Sequence, residues 1–282
     1  MELKELLFAD RSERAKLRFS GEQSAWFLDQ ILTQDFEDMA SGEARDTAML
    51  TVHGRMIGYL ETIAMGDGIL AHLEPELREK LPEELRKYVF ATRVEIEDVT
   101  DEFGLVLIAG PGWRDAVRVI ASDAFPHPTR GLGAEAGYLW VPRTETEAVL
   151  RVLEDEGLKP AGEDELEDIR ISNGAPRWGR DMNEKTIPQE AGIHEWAVHF
   201  EKGCYLGQEA MAKIHFRGKV NRKLRRLVAE GPLSPGTEVF DGEQKIGVVT
   251  CASANRALAM LRHTVEDGAK VRAGTVEAEV AS

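Results

Sequence analysis

Apolar positions along this chain recur with two different periods, and the change from one to the other divides it into a helix-and-strand region and a region of strands alone. Between residues 21 and 35, Trp26, Phe27, Ile31 and Leu32 return at helical spacing and Ser20 stands where a cap would, which predicts an amphipathic helix. Residues 48–52 and 56–64 read as strands joined at His53-Gly54-Arg55, and a turn at Gly66-Asp67-Gly68 leads into a third strand over 69–73. Residues 74–88, rich in Glu, Lys, Arg and Leu, read as a solvent-facing helix that Pro82 should interrupt. Further strands at 94–99, 105–108 and 138–141 alternate with helices over Trp113 to Ala121, 146–156 and 164–172, which describes an α+β layer, a mixed sheet with helices on one side. The turn Gly110-Pro111-Gly112 lies between a strand and a helix but belongs to neither GxGxxG nor GxxxxGK, so it is read as structural. After Arg222 the pattern changes to short strands at 224–229, 238–240, 245–251, 257–261 and 275–280, punctuated by Gly and Pro, as in a small β-barrel or sandwich. The boundary falls between Lys219 and Arg222, giving domains 1–221 and 222–282.

Composition narrows the class. A chain of 282 residues, 43% of them hydrophobic, can bury a large core. Its first residues lack a basic n-region and an uninterrupted apolar run, and no later stretch is long and apolar enough to span a bilayer, so a cytoplasmic protein with no membrane partner is expected. Cys204 and Cys251 are too few for a disulfide-built secreted domain. A net charge of −15 opposes general DNA or RNA binding, yet residues 201–227 carry eight lysines and arginines against Glu201 and Glu209 alone. An anionic partner would dock on that segment; a solvated charged face is the plainer alternative.

The same segment carries the chemistry. Gly203 and Gly207 bracket a tight loop around Cys204, and Gln208 to Ile214 can continue as a helix. A thiol ahead of a helix N-terminus with Lys202 nearby is favoured as thiolate by the dipole and the ammonium, which makes Cys204 a candidate reactive cysteine; an inert buried thiol is the other reading. The segment His194-Glu195-Trp196-Ala197-Val198-His199 has a spacing of five rather than the four of HExxH, which turns the second His off the shared helix face, so no metal site is expected.

The run Lys202-Gly203-Cys204-Tyr205-Leu206-Gly207-Gln208-Glu209 resembles the KGC(Y/F)xGQE signature of YgfZ-like proteins, bacterial relatives of a mitochondrial iron–sulfur assembly factor and a branch of the aminomethyltransferase (GcvT-like) superfamily. The resemblance extends to Arg170, Gly174, Pro176 and Arg177, to Ile187-Pro188-Gln189-Glu190, to Leu32 to Asp35, to the hairpin at Gly54-Arg55, to Ile108 to Pro111, and to Gly247-Val248-Val249-Thr250. It implies a folate-binding core of two related α+β modules followed by a C-terminal β-barrel, three lobes around a central hole that takes tetrahydrofolate or a derivative. Carried over to this chain, Cys204 is the functional thiol, and Lys202, Tyr205, Gln208, Glu209, Arg217, Arg222, Ser172 and Trp196 are candidate folate contacts, with Arg217 or Arg222 placed to hold the glutamate-tail carboxylates. Implied partners are folate and iron–sulfur proteins or their assembly machinery, with an indirect link to iron–sulfur-dependent tRNA modification.

Two departures from the superfamily bear on activity. The aspartate pair that acts on folate in aminomethyltransferases falls on Gly58 and Tyr59, removing the acid/base group of that reaction. RxEAG, whose Glu binds the pterin, reads Arg170-Ile171-Ser172-Asn173-Gly174. An accessory folate-binding protein of iron–sulfur supply is therefore expected, with a folate-dependent one-carbon transferase or demethylase and an RNA-binding module as the alternatives.

Overall fold

The structure, a computed structural model, describes residues 2–66, 68–120, 125–218 and 220–281. Strands β1 (Leu7–Asp10) and β2 (Ala15–Ser20) precede helix α1 (Ser24–Ile31), after which β3 (Ala44–Leu50), β4 (Met56–Met65) and β5 (Gly68–Leu73) form a meander. Helix α2 (Lys80–Arg86) leads to β6 (Glu95–Asp98) and β7 (Phe103–Ala109), then α3 (Trp113–Ile120), β8 (His127–Pro128), β9 (Ala136–Pro142), α4 (Thr146–Asp155), β10 (Lys159–Pro160) and α5 (Glu163–Asn173). Two short helices, α6 (Pro188–Ala191) and α7 (His194–Ala197), and the longer α8 (Gln208–Arg217) connect to the terminal strands β11 (Arg222–Ala229), β12 (Glu238–Asp241), β13 (Gln244–Ser253), β14 (Arg256–Arg262), β15 (Lys270–Ala273) and β16 (Val276–Ala281).

These strands make two five-stranded sheets and one barrel. The first sheet has the order β3-β4-β5-β2-β6, the second β10-β1-β7-β9-β8, and the barrel closes as β11-β14-β13-β12-β15-β16 with β16 pairing back onto β11. The sheets interleave along the chain, since β1 joins β7 and β10 while β2 crosses into the other sheet. The chain therefore has the α+β architecture expected, with a correction to its layering. Each sheet has helices on its outer face: α1 and α2 bury Phe27, Leu28, Leu81 and Leu85 against Leu17, Phe19 and Leu60, while α3 and α4 bury Val117 and Leu153 against Val106 and Ile108. The inner faces meet each other, with Ile63 and Leu70 against Leu7, Leu105 and Leu107.

Local chemistry moves several element ends. Gln23, not Ser20, is the N-cap of α1. Pro82 does not interrupt a helix: it sits in the first turn of α2, where its missing N–H would have had no intrahelical acceptor. The turn residue Asp67, the expected helix end Ala121 and the boundary residue Lys219 lie outside the described residues.

Candidate functional site

Between the inner faces opens a cavity of about 1220 Å³, lined by β3, the segments 34–38 and 128–136, the start of α3, the end of α5, Trp196 and His199. Among the described residues no barrel residue lines it, and its walls come from the two sheet modules and their connections. Gly112 and the first turn of α3 form part of the wall; the glycine turn read as structural is a boundary of the site. Its cations are Arg114 and Arg118 on α3, Arg45 on β3, and Arg130, whose guanidinium lies 5.6 Å from the Trp196 ring centroid. Arg45 is tied to Glu43 and Asp38 and Arg118 lies 3.7 Å from Asp115 on its own helix, whereas Arg114 and Arg130 have no ion pair among the described residues. His199 presents a buried Nδ1 without a hydrogen-bond partner among the described residues.

At the inner end of the cavity the strand pairing forces two carboxylates together. Asp46 on β3 is directly opposite Glu61 on β4, and both are buried. Cross-strand partners on one face are close neighbours, so two ionised carboxylates here repel each other in a poorly solvated space. Glu61 receives Arg14 Nη2 at 3.3 Å and the Thr129 hydroxyl. Asp46 has only the Tyr59 hydroxyl, which donates to Oδ2 at 2.9 Å, and Oδ1 has no hydrogen-bond partner among the described residues. Burial and Glu61 push the Asp46 carboxyl up to about 8, and burial also raises Glu61. Tyr59 in turn accepts Trp196 Nε1 at 3.3 Å. Tyr59 thus fixes one oxygen of Asp46, a carboxyl that β3 presents to the cavity.

A second polar chain leads from Glu61 to the barrel. Arg14 bridges Glu61 and Glu74; Glu74 accepts Arg177 Nη2 at 3.1 Å; Arg177 binds Glu163 at 2.6 Å and Glu167 at 3.0 Å. Glu167 accepts Arg170 Nη2 at 2.8 Å, and Arg170 Nη1 meets Asp181 at 2.6 Å. The Arg170 and Arg177 hydrogen bonds lower the Glu167 carboxyl to about 2. Asp181 accepts Cys251 Sγ at 2.9 Å and the Thr250 hydroxyl from the barrel. Burial pushes the Cys251 thiol up to about 12.

The signature loop lies apart from the cavity. Cys204 is exposed but does not line it, and Glu209 is exposed on α8. Lys202 turns inward: its ammonium forms an ion pair with Asp29 at 3.0 Å and donates to the carbonyls of Asp29, Leu32 and Gln34 at the end of α1. This corrects the expectation that Lys202 contacts folate or faces the thiol, because its donors are consumed inside the fold. Gln208 Nε2 reaches the Gly203 carbonyl at 3.3 Å and closes the loop, and Tyr205 is buried in the core of the first module. Arg222 is also corrected: it binds Glu190 through Nε at 2.8 Å and Nη2 at 3.2 Å, and donates to the Lys185 carbonyl. Ser172 accepts Arg256 at 3.2 Å through its hydroxyl and Arg226 at 2.9 Å through its carbonyl, facing the barrel. Arg217 ends α8, and its side chain lies outside the described residues. Of the expected folate contacts whose side chains are described, Trp196 alone lines the cavity, whereas Asp46, Arg114, Arg118, Arg130 and His199 were not anticipated. A pair of adjacent opposite charges, Arg45-Asp46, in a strand that runs on into Ala48-Met49-Leu50 is the signal that could have found the first of them.

Comparison with known proteins agrees with this architecture. Residues 4–129 match the GCVT N-terminal domain and residues 221–282 match the CAF17 C-terminal beta-barrel domain. The crystal structure of glycine cleavage system aminomethyltransferase T from Bartonella henselae superposes with a TM-score of 0.87 at 20% identity, covering 99% of this chain and 85% of that one. A chloroplastic protein of Arabidopsis thaliana named as a candidate transferase is 28% identical over 265 residues, 87% of this chain and 61% of its own length. The aminomethyltransferase of Rubrobacter xylanophilus is 26% identical over 274 residues, 88% of this chain and 72% of its own. The fold is GcvT-like, and the N-terminal part of the chain is similar to the GCVT N-terminal domain. The KGCYLGQE run resembles the signature of YgfZ-like proteins, and the barrel is similar to that of CAF17.

Proposed function

We propose that this protein binds a folate in the inter-sheet cavity and serves as an accessory factor for iron–sulfur proteins or their assembly machinery, with Cys204 as its exposed functional thiol. The carrying observation is the cavity of about 1220 Å³, larger than the roughly 300–1,000 Å³ typical of small-molecule sites. Its polar groups fit folate: Trp196 offers a ring face, Asp46 Oδ1 and His199 Nδ1 have no hydrogen-bond partner among the described residues, and Arg114, Arg118 and Arg130 suit the carboxylates of a glutamate tail. These arginines take the part that sequence reasoning gave to Arg217 and Arg222. The folate would be tetrahydrofolate or a derivative, supplying a one-carbon carrier. The iron–sulfur role, with its indirect link to tRNA modification, is supported by the CAF17 barrel and the cysteine-bearing signature loop. In this reading residues 1–221 form the folate-binding core, 222–282 the barrel, and the protein works in the cytoplasm; among the described residues no helix is long and apolar enough to cross a membrane.

The RNA-binding alternative is weakened, because Arg222 and Arg226 are held by Glu190 and the Ser172 carbonyl. Calorimetric titration with tetrahydrofolate tests the leading reading. Wild-type protein should bind, and Arg130→Ala should lose about tenfold or more in affinity, the scale of one charge-assisted hydrogen bond; wild-type protein that binds no folate would refute the reading. For the thiol, Cys204→Ala should not restore iron–sulfur-dependent tRNA modification in cells lacking the native gene, and full restoration would remove Cys204 from the proposal.

A further inference from the structure

On the superfamily resemblance, the carboxylates by which aminomethyltransferases handle folate fall on Gly58, Tyr59 and Ser172, none of which supplies one, yet the cavity contains Asp46, a buried carboxyl with one oxygen uncommitted among the described residues. The Tyr59 hydroxyl has a single proton, and donating it to Oδ2 makes Oδ2 an acceptor. When Asp46 is ionised, Oδ1 is a strong acceptor with no partner among the described residues. The groups that bear on this balance are Glu61 directly across the strand pair, Tyr59 on β4, Arg14 beyond Glu61, and Arg130 across the cavity. Glu61 and the dry surroundings favour the neutral form; the Tyr59 hydrogen bond and the two arginines favour the ion. Asp46 is thus poised near neutrality, where a ligand can tip it.

We propose that Asp46 is the specificity-determining residue of the cavity: Oδ1, with Oδ2 fixed by Tyr59, accepts hydrogen bonds from the N–H-bearing edge of a bicyclic aminopyrimidinone, and binding expels the Asp46 proton to solvent. This rests on the folate reading and adds to it the recognising atom and the coupled proton. An edge of adjacent N–H donors pairs more strongly with a carboxylate than with a neutral carboxyl, so the ligand selects the ionised form. The proton balance is one lost from Asp46 and one gained by buffer, with no bond broken in the ligand. The site is consequently tuned against heterocycles that present acceptors at that edge.

The test is anaerobic titration calorimetry of the full chain with tetrahydrofolate, in buffers of differing ionisation enthalpy, between pH 6 and 9.5. Wild-type protein should release close to one proton per ligand at pH 6.5, falling towards none at pH 9.5, and its affinity should rise by about tenfold per pH unit well below the carboxyl's titration. Asp46→Asn should bind more weakly, release no proton and lose the pH dependence. Tyr59→Phe removes a hydrogen bond that favours the ion, so its profile should move to higher pH with proton release retained. Thermal melts of both variants establish that they fold; should Asp46→Asn not fold, the Tyr59→Phe shift decides. Folate binding with no proton release in wild type, or with release unchanged in Asp46→Asn and a profile unmoved in Tyr59→Phe, overturns the role of Asp46 while leaving the folate reading intact. Absence of folate binding by wild type overturns both.

Discussion

Lys202 opens the signature run, yet its ammonium is buried and closes the end of α1 through Asp29 and three carbonyls. Its replacement by Met should cost about 3–5 kcal/mol, because Asp29 would be left as an uncompensated buried charge; the urea midpoint of Lys202→Met reads this, and an unchanged midpoint would mean the pair is dispensable. Spacing made the residue conspicuous but could not say which way its side chain turns. The same holds for Arg222, read as a ligand group and found bound at both carboxylate oxygens of Glu190. In each case a long flexible cation could reach either a ligand or a neighbouring element, and tertiary proximity decided. Cys204 and Cys251 show the converse. Neither pairs with the other, and one is exposed while the other is buried, a contrast that no property of two separate thiols in a sequence encodes.

At the scale of elements, strands and helices with a clear apolar period were legible, among them α1, β4, α4, α5 and most of the barrel. β1 and β2 were not, because β2 carries Lys16 and Arg18 on the side away from its core-facing Leu17 and Phe19. Lys16 is nevertheless fully buried, donating to the carbonyls of Ser12 and Arg14 at 2.9 Å each, so a charge that marks an exposed strand face in most sheets lies inside this one. β15 was missed because a four-residue strand leaves too few positions to show alternation. The loop before α8 is held by Gly207 at φ 85, where an added Cβ would stand 2.5 Å from the Thr51 carbonyl oxygen. Gly207→Ala should therefore cost about 1–3 kcal/mol in backbone strain and push the Cys204 loop off the β3–β4 hairpin; hydrogen exchange across residues 201–210 should speed up, and unchanged exchange would count against this fit.

For the whole molecule, the inter-sheet layer is polar as well as apolar, and this gives stability a pH dependence. His127 is buried, accepts Trp140 Nε1 at 3.1 Å, and is lowered to about 3 by burial and by Arg14. A folded-state value below the unfolded one stabilises the protein above about pH 6.5 and loses that contribution as pH falls towards 3. The guanidinium midpoint should accordingly drop between pH 7 and pH 4, less steeply in His127→Gln, and parallel profiles for the two proteins would exclude His127 as a source. The barrel is fastened to the core through Asp181, which is buried and meets Arg170, Thr250 and Cys251 together. Asp181→Asn leaves Arg170 short of its buried counter-charge and should separate denaturation into two transitions, the barrel melting first; a single coincident transition by fluorescence and circular dichroism would show that the junction does not depend on it.

That junction also turns the second cysteine into a clock. Because Cys251 Sγ is enclosed against Asp181 and Arg170, an alkylating reagent can reach it only when the barrel lifts away, whereas Cys204 is open to the reagent at all times. Two successive mass increments, one immediate and one slow, would separate the loop's accessibility from the frequency with which the two halves of the protein part company.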